Sequence, residues 1–203
     1  MQHCNLPEHE LASFPFADVT LEKDPGRLVL GGGCFWCTEA VFLAVDGVTA
    51  VTSGYAGGHA AQANYDNVCT GVTGHAEVIE ILYQPEKVRY TDLLRLFFAV
   101  AHDPTQLNRQ GNDIGSQYRS VIFFSNDDEK RVAEAYIHQL DDSRVFTQPI
   151  ATTLEPLDAF YTAEAYHQDY AARHPLQPYI RFAALPKLEK LHKNFAGLLK
   201  KPD

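Results

Sequence analysis

The sequence predicts an α+β protein, a split βαβ (ferredoxin-like) two-layer sandwich with long functional loops and extra C-terminal helices. The first observation is the order of elements: β-branched apolar stretches and amphipathic stretches follow one another as β-α-β-β-α-β, with further helices after them. The second is two long polar, glycine-containing connections, which are typical of functional loops. With 203 residues and 45% hydrophobic composition, the chain can bury one substantial core.

The chain is predicted to divide into an N-terminal extended arm, residues 1–26, and a single catalytic domain, residues 27–203. The arm contains three prolines interspersed with Phe14 and Phe16. Because proline fixes φ and removes a backbone donor, such a segment favours an extended path with its aromatic side chains packed on the domain.

The first half of the domain contains three predicted strands. Residues 28–30 are an apolar run before three glycines, residues 48–52 are rich in β-branched residues, and Ala76–Tyr83 is a run rich in strand-forming residues. Residues 38–45 form the first helix, which an Asp-Gly pair ends. Residues 53–75 are too rich in glycine and polar residues for a core element, and we expect a functional loop there.

The second half of the domain begins with a helix over residues 93–101, capped by Thr91. A second polar loop, residues 105–117, leads to a buried strand over residues 118–124. The remaining expected elements are a helix from a capping box at residues 125–128 to about residue 140, a strand at 149–154, a short helix at 164–172 and an amphipathic helix at 186–199.

Charge and hydropathy exclude several classes of partner. The net charge of −9 and the pI near 5.4 disfavour nucleic acid or an anionic membrane as the primary partner. No apolar run approaches the ~20 residues that cross a bilayer, and the N-terminus lacks the basic and hydrophobic blocks of a signal peptide. We therefore expect a cytoplasmic protein, and we separately expect it to be a monomer.

Cys34 and Cys37 are the strongest chemical feature of the sequence. Cys34 follows three glycines at the start of a predicted helix, where free N–H groups and the helix dipole favour the thiolate. Helical side chains three residues apart lie about 5–6 Å from each other, so a modest adjustment would allow a disulfide. The pair could also be half of a zinc site, but no second pair of ligands with suitable spacing follows.

Three further side chains are candidates for acid–base or hydrogen-bonding roles. Glu77 begins a strand at the end of the sheet where the glycines lie, and partial burial would raise its pKa and make it a general acid. Asp113 lies in a glycine-flanked turn and Tyr118 opens a strand. Structural roles remain open for all three: a solvated carboxylate, a turn aspartate bonded to its own backbone, and a core tyrosine.

Several motifs together resemble one enzyme family. They are GCFWC at residues 33–37, TGHAE at 73–77, HDPT at 102–105, QGNDIGSQYRS at 110–120 and AEAYHQDY at 163–170. In this order they resemble the peptide-methionine (S)-S-oxide reductases, the A-type methionine sulfoxide reductases. The resemblance covers about residues 27–195.

The resemblance implies an enzyme that reduces methionine-S-sulfoxide, free or in proteins, without a cofactor or metal and with thioredoxin as reductant. It implies a nucleophilic cysteine that becomes a sulfenic acid, a glutamate that protonates the sulfoxide oxygen, two tyrosines that hydrogen-bond this oxygen, an aromatic pocket for the methyl group and a nearby aspartate. The matching residues are Cys34, Glu77, Tyr65, Tyr118, Phe35, Trp36 and Asp113.

The second thiol of the reaction is expected to be Cys37. Many members of the family resolve the sulfenic acid with cysteines in a C-terminal tail, but residues 186–203 of this chain contain none. Relatives that carry CFWC use the cysteine one turn after the nucleophile. Cys69, Cys4 and an external thiol remain alternatives.

Two other functions are compatible with parts of the sequence. The CxxC motif alone would suit a general thiol–disulfide oxidoreductase, although this gives no role to Glu77, Tyr65 and Tyr118. A non-enzymatic redox or metal sensor would combine the two cysteines with His59 or His75.

Overall fold

The computed structural model describes residue 11 and residues 13–201, and it confirms the α+β class. Within these residues, one six-stranded sheet and one two-stranded hairpin are present. The strands are β1 (Arg27–Gly32), β2 (Val48–Ala56), β3 (Ala76–Tyr83), β4 (Arg109–Gln110), β5 (Asp113–Ile114), β6 (Ser120–Phe124), β7 (Thr153–Pro156) and β8 (Phe160–Thr162).

The large sheet has the strand order β7-β6-β1-β3-β2-β8. Every pair of neighbouring strands in this sheet is antiparallel except β6 and β7, which are parallel. The sheet is therefore mixed and has one strand more than the five expected from the sequence, and the ferredoxin-like assignment stays a prediction. The strand β8 was missed because it has only three residues, which is too short for a periodic pattern.

The helices lie between and after the strands. The α-helices are α1 (Phe35–Leu43), α2 (Tyr65–Val68), α3 (Tyr90–Leu96), α4 (Asp127–Asp142), α5 (Tyr170–Arg173) and α6 (Leu185–Asn194). Short 3₁₀ segments cover Ala60–Gln62, Ser116–Tyr118, Ala165–His167 and Ala196–Leu198, and π-helical segments cover Phe97–Ala101 and Ile180–Ala184. Among the described residues, no helix combines the length and apolar character needed to cross a membrane.

The sheet buries both of its faces near the centre. Leu28 and Leu30 of β1 face the main core, together with α1, α3 and α4, whereas Val29 faces a smaller cluster on the other side with Val121 and Phe123. This alternation follows from the period of two along a strand. The strand β1 thus lies at the centre of the fold, and it leads through Gly33 and Cys34 into α1, which contains Cys37.

Several boundaries differ from the sequence expectation. Helix α3, which was expected to be capped by Thr91, begins at Tyr90 and is capped by Arg89. Helix α4 is capped by Asn126, whose side chain accepts the N–H of Glu129, rather than by Ser125. The strand expected at residues 149–154 begins only at Thr153, where pairing with β6 starts.

The last two expected helices are also altered. The expected helix at 164–172 is a 3₁₀ turn followed by the short helix α5, separated by Asp169 with a φ of 52°. The expected helix at 186–199 is helical only to Asn194, and a π-helical turn precedes it. Both changes bring residues near 170 and 180 against α1, which shapes the site described below.

The described part of the expected arm packs on the domain. Phe14 is buried and its ring meets that of Phe146 edge-on, with centroids 6.1 Å apart. Arg95 donates a hydrogen bond to the Phe14 carbonyl and stacks over the Phe16 ring at 3.9 Å. Residues 1–10, residue 12 and residues 202–203 lie outside the described residues, and the division into arm and domain stays a prediction.

Candidate active site

Cys34 lies between the end of β1 and the first residue of α1. It is the N-cap residue of the helix, with a φ of −59° and a ψ of 125°. Gly33 before it has a φ of 86°, and a Cβ added there would lie 2.6 Å from the Gln110 side chain. Glycine is therefore required to turn the chain from the strand into the helix at this point.

The two thiols of Cys34 and Cys37 are buried and in contact. Both are free, and Cys37 donates its backbone N–H to the Cys34 carbonyl at 3.1 Å in the first helical turn. A hydrogen bond from the Cys34 thiol lowers the pKa of Cys37 to about 7. The two thiols thus lie next to each other in the first helical turn.

The environment of Cys34 corrects one expectation. The helix terminus was expected to favour its thiolate, but burial, followed by the neighbouring Cys37 and Glu77, raises the pKa of the Cys34 thiol. The physical reason is that removal of water penalises a charged sulfur more than the first turn of a short helix stabilises it. Cys34 is therefore a thiol at neutral pH in the free protein.

Glu77 is a buried acid at the beginning of β3. Its side chain is 2% exposed, and its Oε2 accepts the backbone N–H of Phe35 at 3.1 Å. Burial raises the pKa of Glu77 to about 8, although the bond from Phe35 opposes this shift. Glu77 is therefore mostly protonated at neutral pH. Its carboxyl group bonds the backbone of Phe35, the residue that follows Cys34.

Asp113 reaches the thiols through a tyrosine that sequence reasoning did not single out. Tyr179 donates its hydroxyl hydrogen to Asp113 Oδ2 at 2.5 Å and is also within hydrogen-bonding reach of both cysteine thiols. Burial, then the negative charges of the cysteines, raises the pKa of Tyr179. It therefore remains a hydrogen-bond donor beside the sulfur atoms.

The hairpin of β4 and β5 holds Asp113 in place. Gln110 on β4 is paired with Asp113 on β5. The Gln110 side chain accepts the N–H of Asp103 at 3.0 Å and donates to its carbonyl at 3.1 Å, which fastens the hairpin to the end of the preceding helical segment. The loop is therefore ordered by side-chain bonds rather than by a long sheet.

Phe35 and Trp36 begin a cluster of aromatic rings at the N-terminal end of α1. The Trp36 ring stacks on Tyr170 at 3.8 Å with an angle of 9° between the planes. Its Nε1–H donates to His167 Nδ1 at 3.2 Å, and the His167 ring lies 5.0 Å from that of Phe35. Tyr170 and His167 lie in the AEAYHQDY motif, but no separate role was predicted for them.

Tyr65 and Tyr118 enter the site from the two long loops. Tyr65 is the first residue of α2, which Asn64 caps by accepting the N–H of Asn67. Tyr118 lies in a 3₁₀ turn rather than at the start of the strand, because Gly115 with a φ of 145° turns the chain before it.

Both hydroxyls remain protonated in this environment. Burial is the largest cause that raises the pKa of Tyr65, followed by its hydrogen bond with the Cys69 thiol. Burial and the charges of Glu77 and Asp113 raise the pKa of Tyr118. The structure thus brings the predicted site residues of five separate segments together as one cluster of donors, thiols and aromatic rings.

The remaining cysteines and histidines have different positions. Cys69 is exposed and ends α2, where its thiol meets the Tyr65 hydroxyl, and Cys4 lies outside the described residues. A ring nitrogen of His75 bonds the His59 carbonyl at 3.1 Å. Within residue 11 and residues 13–201, no group of three or more His, Cys, Asp and Glu side chains has the geometry to hold a metal ion.

The sequence of the chain is similar to those of proteins of one family. Residues 26–198 match the family model described as peptide methionine sulfoxide reductase. A relative from Thermus thermophilus named peptide methionine sulfoxide reductase MsrA is 53% identical over 171 residues, which are 84% of this chain and 96% of the relative. One of the same name from Acinetobacter baumannii is 54% identical over 174 residues, 86% of this chain and 98% of the relative.

The structure of the chain is also similar to solved structures. Reduced Mxr1 from Saccharomyces cerevisiae superposes with a TM-score of 0.66 at 34% identity, covering 77% of this chain and 91% of that one. Methionine sulfoxide reductase A of Corynebacterium diphtheriae superposes with a TM-score of 0.61 at 36% identity, covering 77% of this chain and 79% of that one.

Proposed function

The chain belongs to the peptide methionine sulfoxide reductase family, and from this premise we propose how its own residues reduce the sulfoxide. It is an enzyme that reduces methionine sulfoxide to methionine. The observation that carries the proposed mechanism is the protonated Glu77 beside the buried Cys34 thiol. A sulfoxide oxygen leaves only when it is protonated, so the reaction needs an acid next to the nucleophile.

The first step transfers oxygen from the substrate to Cys34. Cys34 Sγ attacks the sulfoxide sulfur while Glu77 gives its proton to the oxygen, and the thiol proton returns to the Glu77 carboxylate. The substrate's sulfur–oxygen bond and the new sulfur–sulfur bond then both break as the protonated oxygen bonds to Cys34 Sγ, so methionine leaves and Cys34 carries the oxygen as a sulfenic acid. No net proton is consumed, and Glu77 ends the step protonated as it began.

The surrounding residues recognise the two ends of the sulfoxide group. Tyr65 and Tyr118 donate hydrogen bonds to the oxygen as it gains charge. Phe35 and Trp36 bind the methyl group, and their faces stabilise the positive charge that develops at sulfur by about 0.5–2 kcal/mol. Asp113 orients Tyr179, whose hydroxyl stays near the sulfur atoms.

The second step resolves the sulfenic acid through Cys37. Because the pKa of Cys37 is lowered to about 7, part of it is thiolate at neutral pH. This thiolate attacks Cys34 Sγ, a sulfur–sulfur bond forms, and the oxygen leaves as water after it takes up a proton. Cys69 is a less suitable resolving thiol, because its pKa is raised, with burial as the largest cause.

The third step returns the electrons. We propose thioredoxin as the reductant: its dithiol exchanges with the Cys34–Cys37 disulfide and restores both thiols at a cost of two electrons per methionine. We also propose a cytoplasmic location, because a reducing compartment keeps a CxxC pair reduced. A monomeric state is part of the same proposal. Oxidised proteins and free methionine sulfoxide are both accepted as substrates in this scheme.

The pH dependence of the first step tests the role of Glu77. Above a pKa of about 8 the acid loses its proton, so the single-turnover rate of methionine formation is expected to be level at lower pH and to fall about tenfold per unit at higher pH. Rapid quenching of the reduced enzyme with one equivalent of methionine sulfoxide measures this rate. A rate that rises steadily with pH would instead mean that ionisation of Cys34 limits the step.

A further inference from the structure

Glu164 joins two parts of the site from a distant segment of the chain. It follows β8, and each of its carboxylate oxygens has its own donor. The Oε1 atom accepts the backbone N–H of Tyr65 at 2.9 Å, and the Oε2 atom accepts the hydroxyl of Tyr55 at 2.9 Å. The carboxylate therefore fixes the start of α2, which carries the Tyr65 ring.

The same carboxylate faces His167. Because His167 Nδ1 accepts the Trp36 Nε1–H, the proton of the neutral ring belongs on Nε2. This Nε2 is buried without a hydrogen-bond partner and lies 3.9 Å from Glu164 Oε2. At that distance the carboxylate does not form a hydrogen bond, but its charge favours the tautomer that leaves Nδ1 free for Trp36.

The charges of the two groups agree with this arrangement. Burial opposes ionisation of Glu164, but the Tyr65 N–H and the Tyr55 hydroxyl keep its pKa below the usual value. Burial lowers the pKa of His167, so the ring is neutral at neutral pH. An ionised acceptor and a neutral histidine are the states that the observed bonds require.

The His167 ring also makes direct contacts with the pocket. Its centroid lies 4.5 Å from the Tyr65 ring and 5.0 Å from the Phe35 ring. A change of its tautomer or orientation would therefore move both the ring assigned to the sulfoxide oxygen and the rings assigned to the methyl group.

We propose that Glu164 is a positioning residue for sulfoxide reduction, which holds Tyr65 directly and the Trp36 indole through His167. The inference rests on the proposed function, since Tyr65 and Trp36 have these roles only if the sulfoxide binds between them. It adds to that function a single carboxylate that aligns the oxygen donor and the methyl pocket together. Glu164 contacts Tyr65, Tyr55 and His167, and none of these contacts involves the reacting sulfur or oxygen atoms.

Two substitutions separate this role from a contribution to stability alone. Glu164→Ala removes both acceptors, whereas Glu164→Gln keeps an acceptor for the Tyr65 N–H but directs an amide N–H toward His167 Nε2–H, which disfavours the tautomer that binds Trp36. Glu80→Gln is the matched control, because Glu80 is a half-buried glutamate that is ion-paired with Arg27 at 2.7 Å.

The experiment measures methionine formation in a single turnover, the KM for methionine sulfoxide, the melting temperature and the emission of Trp36, which is the chain's only tryptophan. Because displacement of a positioning contact by about 1 Å can cost 100-fold, Glu164→Ala is expected to lower kcat/KM by about 10- to 100-fold and to shift the Trp36 emission. Glu164→Gln is expected to show the emission shift with a smaller loss of rate, and Glu80→Gln neither change.

The outcomes distinguish the inference from the proposed function. If the wild-type enzyme forms no methionine, the proposed function fails. If the wild type is active and both Glu164 variants retain its rate, KM and emission at a temperature where they are folded, the positioning role is overturned, whatever their melting temperatures. If Glu164→Ala does not fold, the nearly isosteric Glu164→Gln decides alone.

Discussion

Replacement of Glu77 by glutamine is expected to slow methionine formation by about 100- to 10,000-fold, the range typical of a lost general acid. Glutamine has nearly the same shape, and its amide oxygen can still accept the N–H of Phe35, so the backbone around Cys34 is preserved. It cannot give a proton to the sulfoxide oxygen. The single-turnover rate with methionine sulfoxide measures the effect directly.

The melting temperature is the control for the Glu77 variant. Burial raises the pKa of Glu77 to about 8, so folding at neutral pH must protonate a carboxyl group that is ionised in the unfolded chain. A neutral amide avoids this free-energy cost, and the glutamine variant is therefore expected to be at least as stable as the wild type. It should also lose the decline in rate above about pH 8 that the wild type shows. A variant that keeps more than about one tenth of the wild-type rate would contradict the assignment of Glu77 as the acid.

Replacement of Cys37 by serine is expected to separate the first step from the second. The variant should form one methionine per enzyme in a single burst, because Cys34 and Glu77 are unchanged, and should then stop, because serine cannot resolve the sulfenic acid. Turnover with thioredoxin is expected to be lost. Methionine formation over time, together with trapping of the sulfenic acid by a dimedone-type reagent, measures both effects.

Cys69→Ser is the matched control for this variant. Cys69 is exposed and its thiol contacts the Tyr65 hydroxyl rather than Cys34, so its replacement is expected to leave multiple turnover intact. If Cys37→Ser still turned over, or formed an intramolecular disulfide with Cys34, the resolving thiol would be another cysteine.

The parts of the fold that depend on local patterns were predictable from the sequence. The strand Ala76–Tyr83 has the predicted bounds because a short run rich in apolar residues is typical of a strand that is buried on both faces. The location of Cys34 directly before a helix was also correct, since the glycines and the apolar run indicate both neighbours. The strand β8 and the late start of β7 depend on long-range pairing, which short sequence patterns do not encode.

The site was only partly predictable for the same reason. His167 lies 131 residues after Trp36 in the chain and Tyr179 lies farther still, and only the packing of the C-terminal segment against the helix brings them to the site. Burial also reversed a local rule: the helix terminus favours a thiolate at Cys34, but the loss of water around the sulfur dominates its pKa. Local rules describe exposed helix ends better than buried ones.

The count of free thiols before and after a single turnover tests the central claim most directly. The reduced enzyme is mixed with one equivalent of methionine sulfoxide under anaerobic conditions, and both methionine and remaining thiols are measured. The account predicts the loss of two of the chain's four thiols for each methionine formed. Loss of no thiol, or the loss of two thiols in Cys37→Ser as in the wild type, would contradict reduction by Cys34 with resolution by Cys37.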